Sequence, residues 1–120
     1  MTEMSYEEKV ADAKTRIREI QANEAVEMRS KDPAVVYLDV REPHEWNLFH
    51  VPGAVHLPLA SLQNKVAEVV ARESRVVIYC ARGNRSALAA DSMQELGYTD
   101  VVSLAQGIRG WVDAGGDVET

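Results

Sequence analysis

Three short apolar runs constrain this chain more than any other feature: Ala34-Val35-Val36-Tyr37-Leu38, Val76-Val77-Ile78-Tyr79 and Val101-Val102-Ser103-Leu104. Each is rich in β-branched residues and none alternates polar with apolar positions. That is the pattern of a strand covered on both faces. Between the first two lies Leu59 to about Arg72, where Leu62, Val66, Val69 and Val70 recur at helical spacing. Between the last two, residues 85 to 96 read as a helix that buries Leu88, Ala89, Met93 and Leu96. Gly97 is suited to end it in a left-handed cap. Strands alternating with helices predict one α/β domain, a parallel sheet with helices on both faces. Such sheets bind their ligands beyond the C-terminal strand ends, where Asp39 and Cys80 fall.

The remaining segments read as smaller elements. Residues 4 to 16 predict a charged helix with Ser5 as N-cap and Glu8 three positions on, packing by a thin stripe of Tyr6, Val10 and Ala13. Residues 17–20 alternate as an edge strand does, residues 22–30 suit a short helix, and Lys31-Asp32-Pro33 a turn. Pro43 can open a short helix through Trp46. The proline-rich stretch from His50 to Pro58 reads as a loop with a brief strand at 54–56. Gly107 to Trp111 suits a turn or short helix, and 114–120 a loose tail.

The only cysteine stands where the central run stops, in Tyr79-Cys80-Ala81-Arg82-Gly83-Asn84-Arg85-Ser86. A helix begins just after it. Helix N-termini expose free N–H groups and the positive end of the dipole, which favour an anionic sulfur. Gly83 permits a backbone in which successive N–H groups turn inward. Arg82, Arg85 and Arg109 add a positive focus to a body whose net charge is −6. The local physics is that of a reactive thiol in an anion cradle.

That acidic balance argues against nucleic-acid or anionic-membrane partners. A lone cysteine excludes an internal disulfide, a paired-cysteine redox motif and a cysteine-based zinc site. Met1 to Val10 carries three glutamates and no apolar stretch, and no run approaches membrane-spanning length. The reading expects no signal peptide and a cytoplasmic location.

Two sets of residues resemble rhodanese domains, in order and at that family's spacing. The front half carries Asp39-Val40-Arg41-Glu42, Glu45-Trp46 and His50-Val51-Pro52-Gly53-Ala54 with Pro58. The back half carries the Cys80–Ser86 loop, Glu95-Leu96-Gly97-Tyr98 and Gly107-Ile108 with Trp111. The resemblance spans about residues 17 to 112. Gln106-Gly107 departs from it, standing where the family often has Gly-Gly. It implies a three-layer α/β fold with a central, mainly parallel five-stranded sheet, spanning 17–120, with residues 1–16 as a helical extension.

The resemblance also implies a sulfurtransferase. Cys80 would take a sulfane sulfur from thiosulfate or a similar small anionic donor and pass it, as a persulfide, to cyanide or a thiol, protein thiols included. The loop residues Ala81, Arg82, Gly83, Asn84, Arg85 and Ser86 would bind substrate, with Arg85 inward, Arg82 outward, and Ser86 capping the helix. Asp39 and Arg41 would support the site, as an ion pair or cap fastening loops. Neither a metal nor an organic cofactor is required. His44, His50 and His56 are read as structural, because thiolate attack on sulfur needs no base. Trp46 and Trp111 are read as anchors of the loops. Two alternatives stand beside this reading: a persulfide carrier or regulatory module without turnover, and a cysteine phosphatase. Phosphatase loops place five residues between cysteine and arginine, and this chain has four.

Overall fold

A computed structural model describes residues 3–120; residues 1 and 2 of the expected N-terminal extension lie outside the described residues. In chain order the elements are α1 (Tyr6–Lys14), β1 (Arg18–Ile20), α2 (Ala22–Lys31), β2 (Val36–Asp39), α3 (Pro43–Leu48) and β3 (Val55–His56). There follow a 3-10 turn (Leu59–Ser61), α4 (Leu62–Val69), β4 (Val76–Tyr79), α5 (Asn84–Glu95), β5 (Val101–Leu104) and α6 (Gly107–Asp113). The sheet runs β1-β5-β4-β2-β3 with every pairing parallel. The three-layer α/β fold is thus present, with the five-stranded sheet parallel throughout.

Alternation along β4 assigns its side chains to two cores. Val76, Ile78 and, one step further, Cys80 face a cluster with Leu62, Val66 and Met93 of α4 and α5. Val77 and Tyr79 face the other way, against Ala25, Ile108 and Trp111 of α2 and α6. β4 is buried along its whole length, the continuous apolar pattern seen in the sequence. From β2 the chain moves outward to β3, and from β4 it moves the opposite way to β5. The divergence opens a crevice beyond the ends of β2 and β4, where Asp39 pairs in register with Tyr79.

Several boundaries differ from the sequence reading. The first core strand begins at Val36, because Pro33 and Ala34 are spent on a turn. The helix expected over 59–72 is a 3-10 turn followed by α4, which stops at Val69. Val70 becomes extended and buried, leaving Val69 exposed. Leu88 of α5 and Leu96 at its C-cap are only half-buried. Gly97 does take the left-handed conformation that ends α5. The capping box of α1 forms, Ser5 Oγ accepting from Glu8 N–H and Glu8 accepting from Ser5 N–H. Its buried stripe is Val10 and Ala13 alone, and Tyr6 is 47% exposed.

The C-terminal stretch is not a loose tail. His50 and Glu119 exchange both backbone hydrogen bonds at 2.9 Å. Trp111 Nε1 donates to the Asp117 carbonyl (2.7 Å). A polar, glycine-containing segment gave no apolar period to read, yet its backbone is tied to the body.

Candidate active site

The bend after β4 is set by two glycines. Gly83 has φ +100° and is the N-cap of α5; a Cβ there would stand 2.2 Å from the Ala105 carbonyl oxygen. Gly107 has φ +63°, and its Cβ would stand 2.3 Å from the Ala81 carbonyl oxygen. Only glycine allows both the left-handed backbone and these close approaches. The loop is thereby clamped onto the start of α6, whose Ile108 N–H donates to the Cys80 carbonyl (2.8 Å).

Within the bend, Cys80 Sγ accepts from the backbone N–H of Gly83 (3.1 Å) and of Ser86 (3.4 Å). Ser86 is the third residue of α5, so its N–H is one of those a helix leaves unpaired. The sulfur therefore rests on the open end of a twelve-residue helix. The Cys80 thiol also donates to Ser86 Oγ (3.5 Å), which is 2.8 Å from Ser103 Oγ on β5. Cys80 is 1% exposed, so the sulfur is almost wholly covered by protein. These contacts stabilise a negative charge on sulfur, in an N–H cradle that is already assembled.

The loop residues divide by direction. Gly83 and Ser86 meet the sulfur, Asn84 is exposed, and Arg82 is exposed with no hydrogen-bond partner among the described residues. Arg85, expected to point inward, instead makes a two-pronged ion pair with Glu45 of α3 (2.6 and 3.0 Å). Hydrogen bonding from Arg85 is the main cause holding the Glu45 carboxyl down at about 2. Glu45 in turn raises Arg85, and the Cys80 charge also acts on it. Ser86 does not cap the helix, because Gly83 takes that position and Ser86 lies inside the first turn.

Asp39 and Arg41 form a second two-pronged pair beneath the mouth, with closest approach 2.8 Å and side chains 0% and 4% exposed. Asp39 Oδ1 also accepts from the Arg41 backbone N–H, and Arg41 donates onward to the Phe49 carbonyl. The pair thus fastens the end of β2 to the far end of α3. Burial, and then the Asp39 charge, push the neighbouring Tyr79 phenol up. Neither Asp39 nor Arg41 contacts the sulfur. His50 and His56 stack on Trp46, at centroid distances of 3.5 and 4.8 Å. Their ring nitrogens meet the carbonyls of Trp46 and Arg41 (3.0 and 2.8 Å).

A groove of about 410 Å³ opens beside the loop, lined by Ala81, Arg82 and Arg109 with Leu48, Phe49 and Ile108 among its apolar residues. Gln106, where the family often has glycine, accepts from Ala22 N–H (2.9 Å) and so closes the start of α2. Sequence reasoning passed over Glu45 and Ser103 as site neighbours. Glu45 was visible only as part of a family motif, and Ser103 as the one polar residue in an apolar strand. Among the described residues no group of three or more His, Cys, Asp or Glu could hold a metal ion, and no helix is long and apolar enough to cross a membrane.

Comparison with known proteins agrees with the arrangement. The family model of the rhodanese-like domain matches residues 21–114. The thiosulfate sulfurtransferase GlpE of Tolumonas auensis is 34% identical over 79 residues, 66% of this chain and 74% of that protein. The putative sulfur carrier protein YrkF of Bacillus subtilis is 35% identical over 80 residues, 67% of this chain but only 43% of that longer protein. Among solved structures, RPA3614 of Rhodopseudomonas palustris superposes with a TM-score of 0.88 at 27% identity, covering 99% of this chain and 97% of its own. That protein is described as one of unknown function and possible tyrosine phosphatase. With its parallel sheet, its cysteine on the open end of α5 and its relatives among named sulfurtransferases, the chain belongs to the rhodanese-like family.

Proposed function

We propose that this protein moves a sulfane sulfur from thiosulfate, or a similar small anion, to a thiol or cyanide through a persulfide on Cys80. The observation that carries the reading is the buried Sγ accepting two backbone N–H groups at the start of α5. As a thiolate, Cys80 attacks the outer sulfur of thiosulfate. A Cys80 S–S bond forms, the donor's S–S bond breaks, and sulfite leaves with its electron pair. The outer sulfur then carries the charge, held by the N–H groups of the cradle. An acceptor thiolate or cyanide attacks that sulfur, leaving as a persulfide or thiocyanate and restoring the Cys80 thiolate. The two half-reactions share one enzyme form, so ping-pong kinetics are expected. With one cysteine there is no internal resolving thiol, and release depends on the outside acceptor.

Arg82, exposed beside the groove, is the donor-facing cation in this scheme and would hold the sulfonate end. Arg85 tunes the site by its charge, through its pair with Glu45. Residues 17–120 constitute the transferase domain, with 1–16 as an extension. A cytoplasmic setting suits a lone thiol that must stay reduced.

The phosphatase alternative is disfavoured on two grounds. Four residues separate Cys80 from Arg85, which makes a smaller cradle than a phosphoryl group needs. Glu45 already occupies the Arg85 guanidinium, the cation that would have to face the phosphoryl oxygens. Incubation with thiosulfate followed by intact-mass measurement tests the main reading. Wild type should gain one sulfur and Cys80→Ser none; no gain with any sulfane donor would overturn it.

A further inference from the structure

Strand β5 reads Val101-Val102-Ser103-Leu104, and its one side-chain hydroxyl is 0% exposed. Ser103 stands in register with Ile78 on β4, two residues before Cys80, and so faces the same layer as the cysteine. A hydroxyl buried in an apolar strand needs a partner. Among the described residues, the one hydrogen bond of this side chain is to Ser86 Oγ, at 2.8 Å. Ser86 Oγ is in turn 3.5 Å from Cys80 Sγ. Three buried atoms thus form a chain with two gaps, Ser103 Oγ to Ser86 Oγ to Sγ.

Each gap holds one hydrogen. With the sulfur as a thiol, three hydrogens compete for the two gaps. The S–H then points to Ser86 and the Ser86 O–H to Ser103, and the Ser103 hydrogen is left over. With the sulfur ionised, two hydrogens fill two gaps, and both run the other way. Ser103 donates to Ser86 Oγ and Ser86 donates to Sγ, so both hydroxyl dipoles point at the charge. Hydroxyl hydrogens rotate to suit their surroundings, and the reversal needs no movement of heavier atoms. Accepting from Ser103 also polarises Ser86, strengthening its own donation by about 10–30%. Sulfur transfer leaves no hydrogen on Sγ either, so the chain keeps this direction in the loaded form.

We propose that Ser103 is a positioning residue of the sulfur site: acting through Ser86, its hydroxyl directs a third hydrogen bond at the anionic sulfur, beside the N–H groups of Gly83 and Ser86. It touches neither the sulfur nor a substrate. The inference rests on the sulfurtransferase reading only for the nature of the loaded form. The charged and titratable groups around the sulfur lie on other elements: Arg82 in the loop, Arg85 of α5 with Glu45 of α3, Asp39 and Arg41 after β2, Arg109 of α6 and Tyr6 of α1. β5 carries none of them, so substitution at Ser103 leaves every one in place.

The test compares wild type with Ser103→Ala, Ser86→Ala and the double variant, each checked for folding by urea unfolding. Cys80 is the only cysteine, so the ultraviolet absorbance of its thiolate can be followed against pH with the Cys80→Ala protein as blank. In Ser103→Ala the thiolate signal should rise at a pH about half a unit higher than in wild type. In the Ser86→Ala background, adding Ser103→Ala should shift it no further. Sulfur loading from thiosulfate should be about threefold slower in Ser103→Ala on the acid side of that curve, and should match wild type once the thiolate is fully formed. A Ser103→Ala curve superimposed on the wild-type one overturns the inference. So does an equal shift in the Ser86→Ala background, or a loading defect of the same size at every pH, which is the mark of altered packing. A wild type that gains no sulfur sinks the transferase reading alone, and the absorbance curves still decide on Ser103.

Discussion

Two guanidinium–carboxylate pairs flank the same crevice, and they differ in burial and in what they touch. Asp39 and Arg41 are shut off from water, satisfied by each other, by a backbone N–H and by the Phe49 carbonyl. Glu45 and Arg85 are equally well aligned but sit at the rim, with side chains 20% and 29% exposed. Water screens the rim pair and leaves its charges within reach of a substrate, whereas the buried pair is enclosed by protein but for the edge of Arg41 that lines the groove. The same chemistry therefore holds a strand end in one place and, in the other, stands at the rim beside the cysteine loop. Burial and position decide which.

The comparison can be broken at several points. Removing Arg41 leaves Asp39 charged in a dry site, which typically costs about 3–5 kcal/mol. Arg41→Ala should lower Tm by on the order of 10 °C in a thermal melt followed by circular dichroism. A melt unchanged within a degree or two would mean the pair is not structural. Arg85→Ala should do the reverse. Its stability cost is about 1 kcal/mol or less, while the rate of sulfur loading falls roughly tenfold. Arg82→Ala should raise the thiosulfate concentration needed and leave the maximal rate nearly intact. Equal behaviour of the two arginine variants would erase the distinction between tuning and donor-facing cations.

Acid provides a smaller and more graded test of the rim pair. Glu45 falls from an ordinary value of 4.5 to about 2 in the folded protein. A folded carboxyl held below its unfolded value contributes stability that is complete above about pH 4.5 and is lost as pH drops towards 2. Urea unfolding midpoints of wild type should therefore fall across that window by more than those of Glu45→Gln. Parallel curves would show that the pair contributes nothing to folding. The smallest effect concerns the buried hydroxyls: Ser103→Ala removes one partner of Ser86 and should cost about 1 kcal/mol, measured by the same unfolding curves.

Much of the architecture was legible because it depends on period and on local chemistry. β-branched runs marked β2, β4 and β5, the capping box marked α1, and Gly83 marked the bend after Cys80. The cysteine's neighbourhood was legible for the same reason, since strand end, glycine and helix start are contiguous in the chain. Arg85 was misread as inward because its partner Glu45 is forty residues away, and nothing local announces a bidentate pair across that distance. The tail was misread because its anchors, the bridge to His50 and the Trp111 Nε1 bond to the Asp117 carbonyl, use backbone groups of the tail and partners distant from it in the fold, which leave no period in the sequence.

By itself, then, the sequence determined the layer order, the cysteine loop and the family, because each rests on short-range spacing. The tertiary structure decided which arginine is engaged, that Ser86 leans on Ser103, and that α1 packs along α5. Those outcomes depend on which elements lie side by side. Sheet order and helix docking set that adjacency through burial of the whole core, a sum over contacts that no local stretch of sequence contains.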